Sequence, residues 1–207
     1  MSELTLHHYW RSSCSWRVRW ALAIKNLEYK CEAVNLLAGE QKEAKHLTAN
    51  PAGFVPALFV DGVPYGESIA IMEWLEETYP SPPLLPTSAA DRLIVRQLTN
   101  IISSGTQPIQ NLAVQARVSE DKSERIAWAK YWIERGLGAY ETLLQQHAGT
   151  YSFGSNITMA DLCLIPQVYN ALRFDVAMNH FPKAQEIYDR CLELETCQAA
   201  HPDRFAP

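Results

Sequence analysis

Short alternating runs of apolar positions are interleaved with helical patterns in the first third of the chain, and in the rest apolar positions recur every three or four residues. Leu4 and Leu6 share one face of a run that ends at Tyr9, which predicts a strand. From about Ser15 to Asn26, Val18, Ala21, Leu22 and Lys25 recur at helical spacing, and Glu28 to Val34 alternates again. A strand–helix–strand unit of that length predicts parallel pairing of the two strands. Ala38 to Leu47 is polar and helix-prone. A further apolar run begins at Pro56 and reaches Asp61-Gly62, a strong hairpin signal, and Val63 to Gly66 completes the hairpin. Glu67-Ser68 then opens a helical pattern through Ile69, Ile71, Met72, Leu75 and Tyr79.

Pro80-Ser81-Pro82-Pro83-Leu84-Leu85-Pro86 cannot continue a helix and reads as a linker. Beyond it the period is helical. Ala89 to about Ala116 places Leu93, Ile94, Gln97, Leu98, Ile101 and Ile102 on one side, with a kink expected near Gly105 and Pro108. Lys122 to Gln146 predicts a second long helix. Thr158-Met159-Ala160-Asp161 has the form of a capping box for a helix that runs to Arg173, which makes Asp161 a capping carboxylate. A last helix is expected over Lys183 to Leu194, with an irregular tail. The expected organisation is an α/β domain over residues 1–82 and an all-α domain over residues 88–207.

Composition narrows the function classes. Of 207 residues 47% are apolar and 20% charged, as in a globular protein. The net charge of −5 disfavours nucleic acid as the main partner. No run is long enough to span a membrane and no signal pattern opens the chain, so the expected location is the cytoplasm. The five cysteines include no C-x-x-C pair, and His7 and His8 point to opposite faces of a strand, so no metal site is expected. Cys31 and Cys163 read as small core residues.

Cys14 is different. It sits in Arg11-Ser12-Ser13-Cys14-Ser15-Trp16-Arg17-Val18-Arg19, between the first strand and the first helix. A helix start presents unpaired N–H groups and the positive end of a dipole, so this stretch is either an ordinary N-cap or an anion site that also favours a thiolate. Ser68 has the same two readings, as a cap or as a carboxylate donor. Pro56 is a candidate for a cis bond.

This organisation resembles the glutathione transferases, in which a thioredoxin-like N-terminal domain precedes an all-α C-terminal domain. Asn50-Pro51-x-Gly53-x-Val55-Pro56-x-Leu58 resembles the family's cis-proline loop, and Glu67-Ser68-Ile69-Ala70-Ile71 its glutathione signature. Ser12-Ser13-Cys14-Ser15-Trp16-Arg17-Val18-Arg19 is similar to the motif of the zeta class, the maleylacetoacetate isomerases. Gln107-Pro108-Ile109-Gln110-Asn111-Leu112 and the stretch from Met159 to Val168 look like further zeta-class segments.

The resemblance implies glutathione as cofactor, a small dicarboxylate as substrate and a homodimer. It places Ser12, Ser13 and Cys14 at the glutathione sulfur, with Gln41, Val55, Glu67, Ser68, Gln107 and Asn111 holding the tripeptide. Its reaction converts maleylacetoacetate to fumarylacetoacetate: the thiolate adds to the cis double bond, the single bond so formed rotates, and the thiol leaves. Arg11, Arg17 and Arg173 are the candidate cations for the dicarboxylate and the developing enolate. Ser12 is expected to be the principal hydroxyl, with Cys14 either supporting the thiolate or forming a mixed disulfide. Glu67 stands where the class more often has Gln, and Ala113 replaces a Ser. The alternatives are a maleylpyruvate isomerase, a general conjugating transferase, or a non-catalytic glutathione-binding module.

Overall fold

A computed structural model describes residues 2–207 and divides them into two compact units. One comprises the chain up to Pro83 together with Leu194–Pro207, and the other is Leu84–Glu193.

The first unit is built on a four-stranded sheet. β1 (Leu4–His8) leads into α1 (Ser13–Ile24) and β2 (Lys30–Ala33). A 3-10 turn over Glu40–Lys42 and the short α2 (Ala44–Ala49) precede β3 (Ala57–Val60), β4 (Val63–Tyr65) and α3 (Ser68–Thr78). The strand order is β2-β1-β3-β4. β1 and β2 run parallel, as the crossover length requires, and the other pairs are antiparallel. The β3–β4 hairpin turns at Asp61-Gly62, where both residues have positive φ (50° and 83°), as the twist of a tight hairpin demands. Leu4, Leu6, Ala57 and Leu58 form the buried centre of the sheet. Cys31, expected in the core, is exposed on the outer strand β2, whereas Cys163 is buried.

α1 is buried almost all round, from Ser15 to Leu22. It packs against α3 and against a helix that arrives from the far end of the chain. Its C-cap is Lys25, whose buried Nζ lies 2.6 Å from Glu76 Oε2 on α3 and 2.9 Å from the Pro82 carbonyl. This ion pair ties the end of α1 to α3 and to the start of the proline segment, which contains a cis Ser81–Pro82 bond.

The second unit is helical: α4 (Ala89–Ser103), α5 (Leu112–Val118), α6 (Lys122–His147), α7 (Met159–Arg173) and α8 (Pro182–Leu192). The kink expected near Gly105 and Pro108 is a full break, and α5 starts afresh at its own cap, Asn111. The buried side of α4 is Val95, Leu98, Thr99 and Ile102, while Leu93 is exposed. α7 is the hub, buried from Met159 to Val168 and packed on α4 and α8. Its cap is the expected one. Asp161 accepts from the Thr158 N–H (2.8 Å) and Thr158 Oγ1 (3.1 Å), and its second oxygen takes the Ser152 N–H (2.8 Å). Burial raises the Asp161 pKa against the pull of these bonds. Its oxygens are therefore committed to structure. α6 passes the α4–α5 connection at Gly136, where a Cβ would stand 2.0 Å from Thr106 Oγ1.

The tail, expected to be irregular, forms α9 (Glu195–Ala200) and a 3-10 turn over Pro202–Phe205. It belongs with the first unit because Arg19 of α1 is fully buried and needs acceptors. Arg19 Nε donates to the Ala200 carbonyl (3.0 Å) and Nη2 to the Trp10 carbonyl (3.1 Å), while Phe205 lies over the guanidinium at 4.5 Å. Trp20 Nε1 adds a bond to Thr196 Oγ1. Arg19 Nη1 stands 3.1 Å from His8 Nδ1. Since arginine only donates, Nδ1 accepts and the imidazole is the neutral Nε2–H form. Burial, with the nearby Arg19 and His7, lowers the His8 pKa to about 4, and burial lowers that of Arg19 to about 10.

Two outcomes follow from these buried groups. Lys25→Met leaves the Glu76 carboxylate buried without its cation and is expected to cost about 3–5 kcal/mol in urea denaturation, most of it recovered in Lys25→Met/Glu76→Leu. For His8 the folded-state pKa is below the unfolded value. The stability from keeping it neutral is therefore complete above about pH 6.5 and is lost as pH falls toward 4. Melting curves at pH 7.5 and 5 are expected to show a loss of about 2 kcal/mol that His8→Asn abolishes.

Candidate functional site

The stretch from Tyr9 to Cys14 is a stitched turn. The Ser12 N–H donates to the Tyr9 carbonyl (3.0 Å), and the Tyr9 N–H to Ser15 Oγ (3.4 Å). Ser12 is extended (φ −68°, ψ 120°), so its Oγ receives the Ser15 N–H at 3.2 Å and caps α1. Capping uses the oxygen of Ser12 as acceptor and leaves its O–H as a donor. Ser13 and Cys14 follow, half-buried, in the first helical turn. No acidic residue stands in that turn, so the positive end of the helix is not offset from within it.

Arg17, one turn after Cys14, is not available as a cation for a substrate, because only 1% of it is exposed. Its Nη1 lies 3.7 Å from Cys14 Sγ and donates to Ser68 Oγ at 3.3 Å. The i, i+3 spacing puts Cys14 and Arg17 on one face of α1, and the length of arginine carries the charge across to the start of α3. Arg11 has the opposite environment. It is half-buried, with its guanidinium 4.7 Å from the Trp10 ring and Nη2 3.4 Å from Tyr9 Oη.

A second helix start is added by α3. Its flanking residue, Glu67, holds φ at +63° with ψ at 104°, a strained backbone for a residue with a Cβ, and its carboxylate makes no capping bond. Ser68, the first helical residue, is buried. Gly66, just before, passes so close to the Asn50 side chain that a Cβ would stand 3.0 Å from its amide nitrogen.

Asn50 also shapes the loop that presents Val55. Its Oδ1 accepts the Ala52 N–H (3.1 Å), and its Nδ2 donates to the Phe54 carbonyl (3.0 Å). His46 Nε2 donates to the same carbonyl at 2.9 Å. The next peptide bond, Val55–Pro56, is cis. Gly53, at φ +67°, abuts the main-chain oxygen of Gln41, and Gln41 Oε1 is buried with no hydrogen-bond partner. A buried amide oxygen without a donor is costly and invites one from a ligand. Helix N-termini for anionic groups and a spare amide acceptor fit the carboxylates, amides and thiol of glutathione.

The remaining candidates lie on the helical unit. Gln107 is half-buried in the α4–α5 connection. Asn111 is exposed and caps α5, its Oδ1 accepting the Ala113 N–H at 2.9 Å, so its side-chain amide N–H groups remain as donors. Arg173 ends α7, exposed, with Nη1 3.3 Å from Asn170 Oδ1. No group of His, Cys, Asp and Glu among the described residues forms a metal-binding cluster. The sequence reading missed the clamps, His46 and Asn50. The one signal for them was Asn50-Pro51, a turn dipeptide ahead of the Val-Pro loop.

Comparison with known proteins gives matches along most of the chain. Residues 11–78 match the family model for the glutathione S-transferase N-terminal domain, and residues 106–200 that for the C-terminal domain. The maleylacetoacetate isomerase of Rattus norvegicus is 45% identical over 201 residues, covering 96% of this chain and 92% of its own. The maleylacetoacetate isomerase of Anaeromyxobacter dehalogenans 2CP-1, with GSH in its active site, superimposes with a TM-score of 0.91 at 45% identity, covering 98% of this chain and 96% of that one. A second structure of it, with dicarboxyethyl glutathione and citrate bound, gives 0.89 at 44%, covering 99% and 97%. A bacterial maleyl pyruvate isomerase of the zeta class gives 0.93 at 38% identity, with 96% of each chain covered.

Proposed function

The chain belongs to the zeta class of the glutathione S-transferase family, and from that premise we propose that it is a glutathione-dependent isomerase converting maleylacetoacetate to fumarylacetoacetate. The observation that carries this reading is the start of α1, where a capping serine with a spare O–H, a second serine and a cysteine meet a helix N-terminus with no acidic residue in its first turn. Bound glutathione would supply a thiolate that adds reversibly to the cis double bond and so allows rotation about it. The chain supplies what that thiolate needs. Ser12 donates its hydroxyl to the sulfur, and the α1 N-terminus favours its negative charge. Cys14 supports it as a neighbour. Ser13 completes the hydroxyl-bearing turn.

For the rest of the tripeptide, the main chain of Val55 pairs as an added strand would, and Gln41 offers its buried amide oxygen. The α3 start with Ser68 takes the γ-glutamyl carboxylate, and Glu67 its amine. Gln107 and Asn111 are assigned by the resemblance. Arg11 and Arg173 are the cations for a small dicarboxylate substrate. The maleylpyruvate reading is weaker, because the maleylpyruvate isomerases tend to carry an arginine-rich stretch after the segment that Gln107-Pro108 resembles, and Leu112-Ala113 does not supply it. We also propose a cytosolic homodimer. That part of the proposal rests on the resemblance to the class.

Retention on immobilised glutathione followed by an ultraviolet assay with maleylacetoacetate, maleylpyruvate and an electrophilic halide tests the activity. Turnover of maleylacetoacetate is expected to dominate. Preference for maleylpyruvate or the halide would replace the reading with its alternatives, and binding without any turnover would leave a glutathione-binding module. Ser12→Ala is expected to lower kcat by about a hundredfold and Cys14→Ala by less than about tenfold; equal and total loss in both would sink the division of roles. Sedimentation equilibrium at micromolar concentration is expected to give a dimer, and a monomer would remove that part of the proposal.

A further inference from the structure

Arg17 is left over from the account above. It belongs to the motif that marks the class, yet its burial withdraws it from the substrate, and it is among the largest fully buried side chains of the molecule. Its surroundings are also unusual for a buried cation. The guanidinium lies against the first turns of two helices, whose N-terminal ends carry the same sign of charge. One nitrogen, Nη1, reaches both Cys14 Sγ at the start of α1 and Ser68 Oγ at the start of α3. The arrangement places a buried positive charge beside the two places that the proposed function assigns to negative charge, the ionised sulfur and the γ-glutamyl carboxylate.

We infer that Arg17 is a positioning residue that couples the two ends of the glutathione site, its single nitrogen holding Cys14 and Ser68 together so that carboxylate recognition at α3 and thiol ionisation at α1 depend on one buried cation. Because the same Nη1 makes both contacts, any shift toward one partner weakens the other. The planar fork of arginine suits this bridging, which a lysine provides only as a point charge. The charge is exerted through protein of low polarizability, where it is screened less than at the surface. Arg17 touches neither the reacting double bond nor, at its burial, the substrate. The inference rests on the glutathione site proposed above.

The full-length protein allows the two ends to be read separately. Thiolate absorbance of bound glutathione, titrated against pH at saturation, reports the sulfur. Calorimetric affinity for S-methylglutathione, which has no thiol, reports the rest of the tripeptide. In Arg17→Gln the thiolate midpoint is expected to rise by about one pH unit, with S-methylglutathione binding about tenfold weaker. Arg17→Lys, which keeps the charge, is expected to recover most of the first change. A lowered melting temperature with both readouts unmoved, or movement of only one, overturns the coupling. Where Arg17→Gln does not fold, Ser68→Ala carries the test, because it alters the α3 end and leaves the neighbours of the sulfur in place. A shift of the thiolate midpoint in that variant supports the coupling, and an unmoved midpoint overturns it. A wild-type protein that binds S-methylglutathione but shows no thiolate signal with glutathione would remove the sulfur-site reading itself, and this inference with it.

Discussion

Two arginines two positions apart on α1, Arg17 and Arg19, are buried almost completely, and much of the first unit is arranged around solvating them. A charge taken out of water must find hydrogen bonds from the protein or be expelled. For Arg19 the acceptors are main-chain carbonyls of Trp10 and Ala200, a neutral imidazole and an aromatic face. Those partners come from opposite ends of the chain, His8 and Trp10 at the first strand and Ala200 and Phe205 in the tail. The need to supply them fixes the tail against the N-terminal sheet and holds His8 uncharged.

The same constraint builds the functional site. Trp16, Arg17, Arg19 and Trp20 are all buried, so the start of the helix is held by packed and hydrogen-bonded groups. Ser12, Ser13 and Cys14 are thereby presented on a rigid element. On the other side, His46 and Asn50 both grip the Phe54 carbonyl, and Asn50 also touches Gly66. One asparagine therefore positions both the Val55 loop and the approach to Glu67 and Ser68. Such preorganisation places donors before charge develops, which is what makes them effective.

Cation placement separates structure from chemistry. Lys25 is locked to Glu76 and a carbonyl, and Arg19 to the tail, so both serve the fold. Arg11 remains half-buried beside the turn, and Arg173 stands at the end of α7. Asp161, the most deeply buried carboxylate of the helical unit, commits its oxygens to two donors of its own cap and to the Ser152 N–H.

Local rules in the sequence determined the alternation of strand and helix in the first unit, the Asp61-Gly62 turn, the capping box at Thr158 and the family motif at residues 12–19, because each depends on neighbours within a few positions. The zeta-class resemblance likewise rested on contiguous residues. Tertiary structure decided what depends on distant partners. It turned the expected kink in the first long helix into a break, exposed Leu93 and buried Val95, left Cys31 outside the core, and returned the tail to the N-terminal unit. It also decided the fate of the arginines. The sequence offers Arg11, Arg17 and Arg173 together as candidate cations. Only burial and the approach of α3 to α1 distinguish a guanidinium that faces solvent from one that lies between Cys14 and Ser68, because the free energy of a charge is set by what surrounds it.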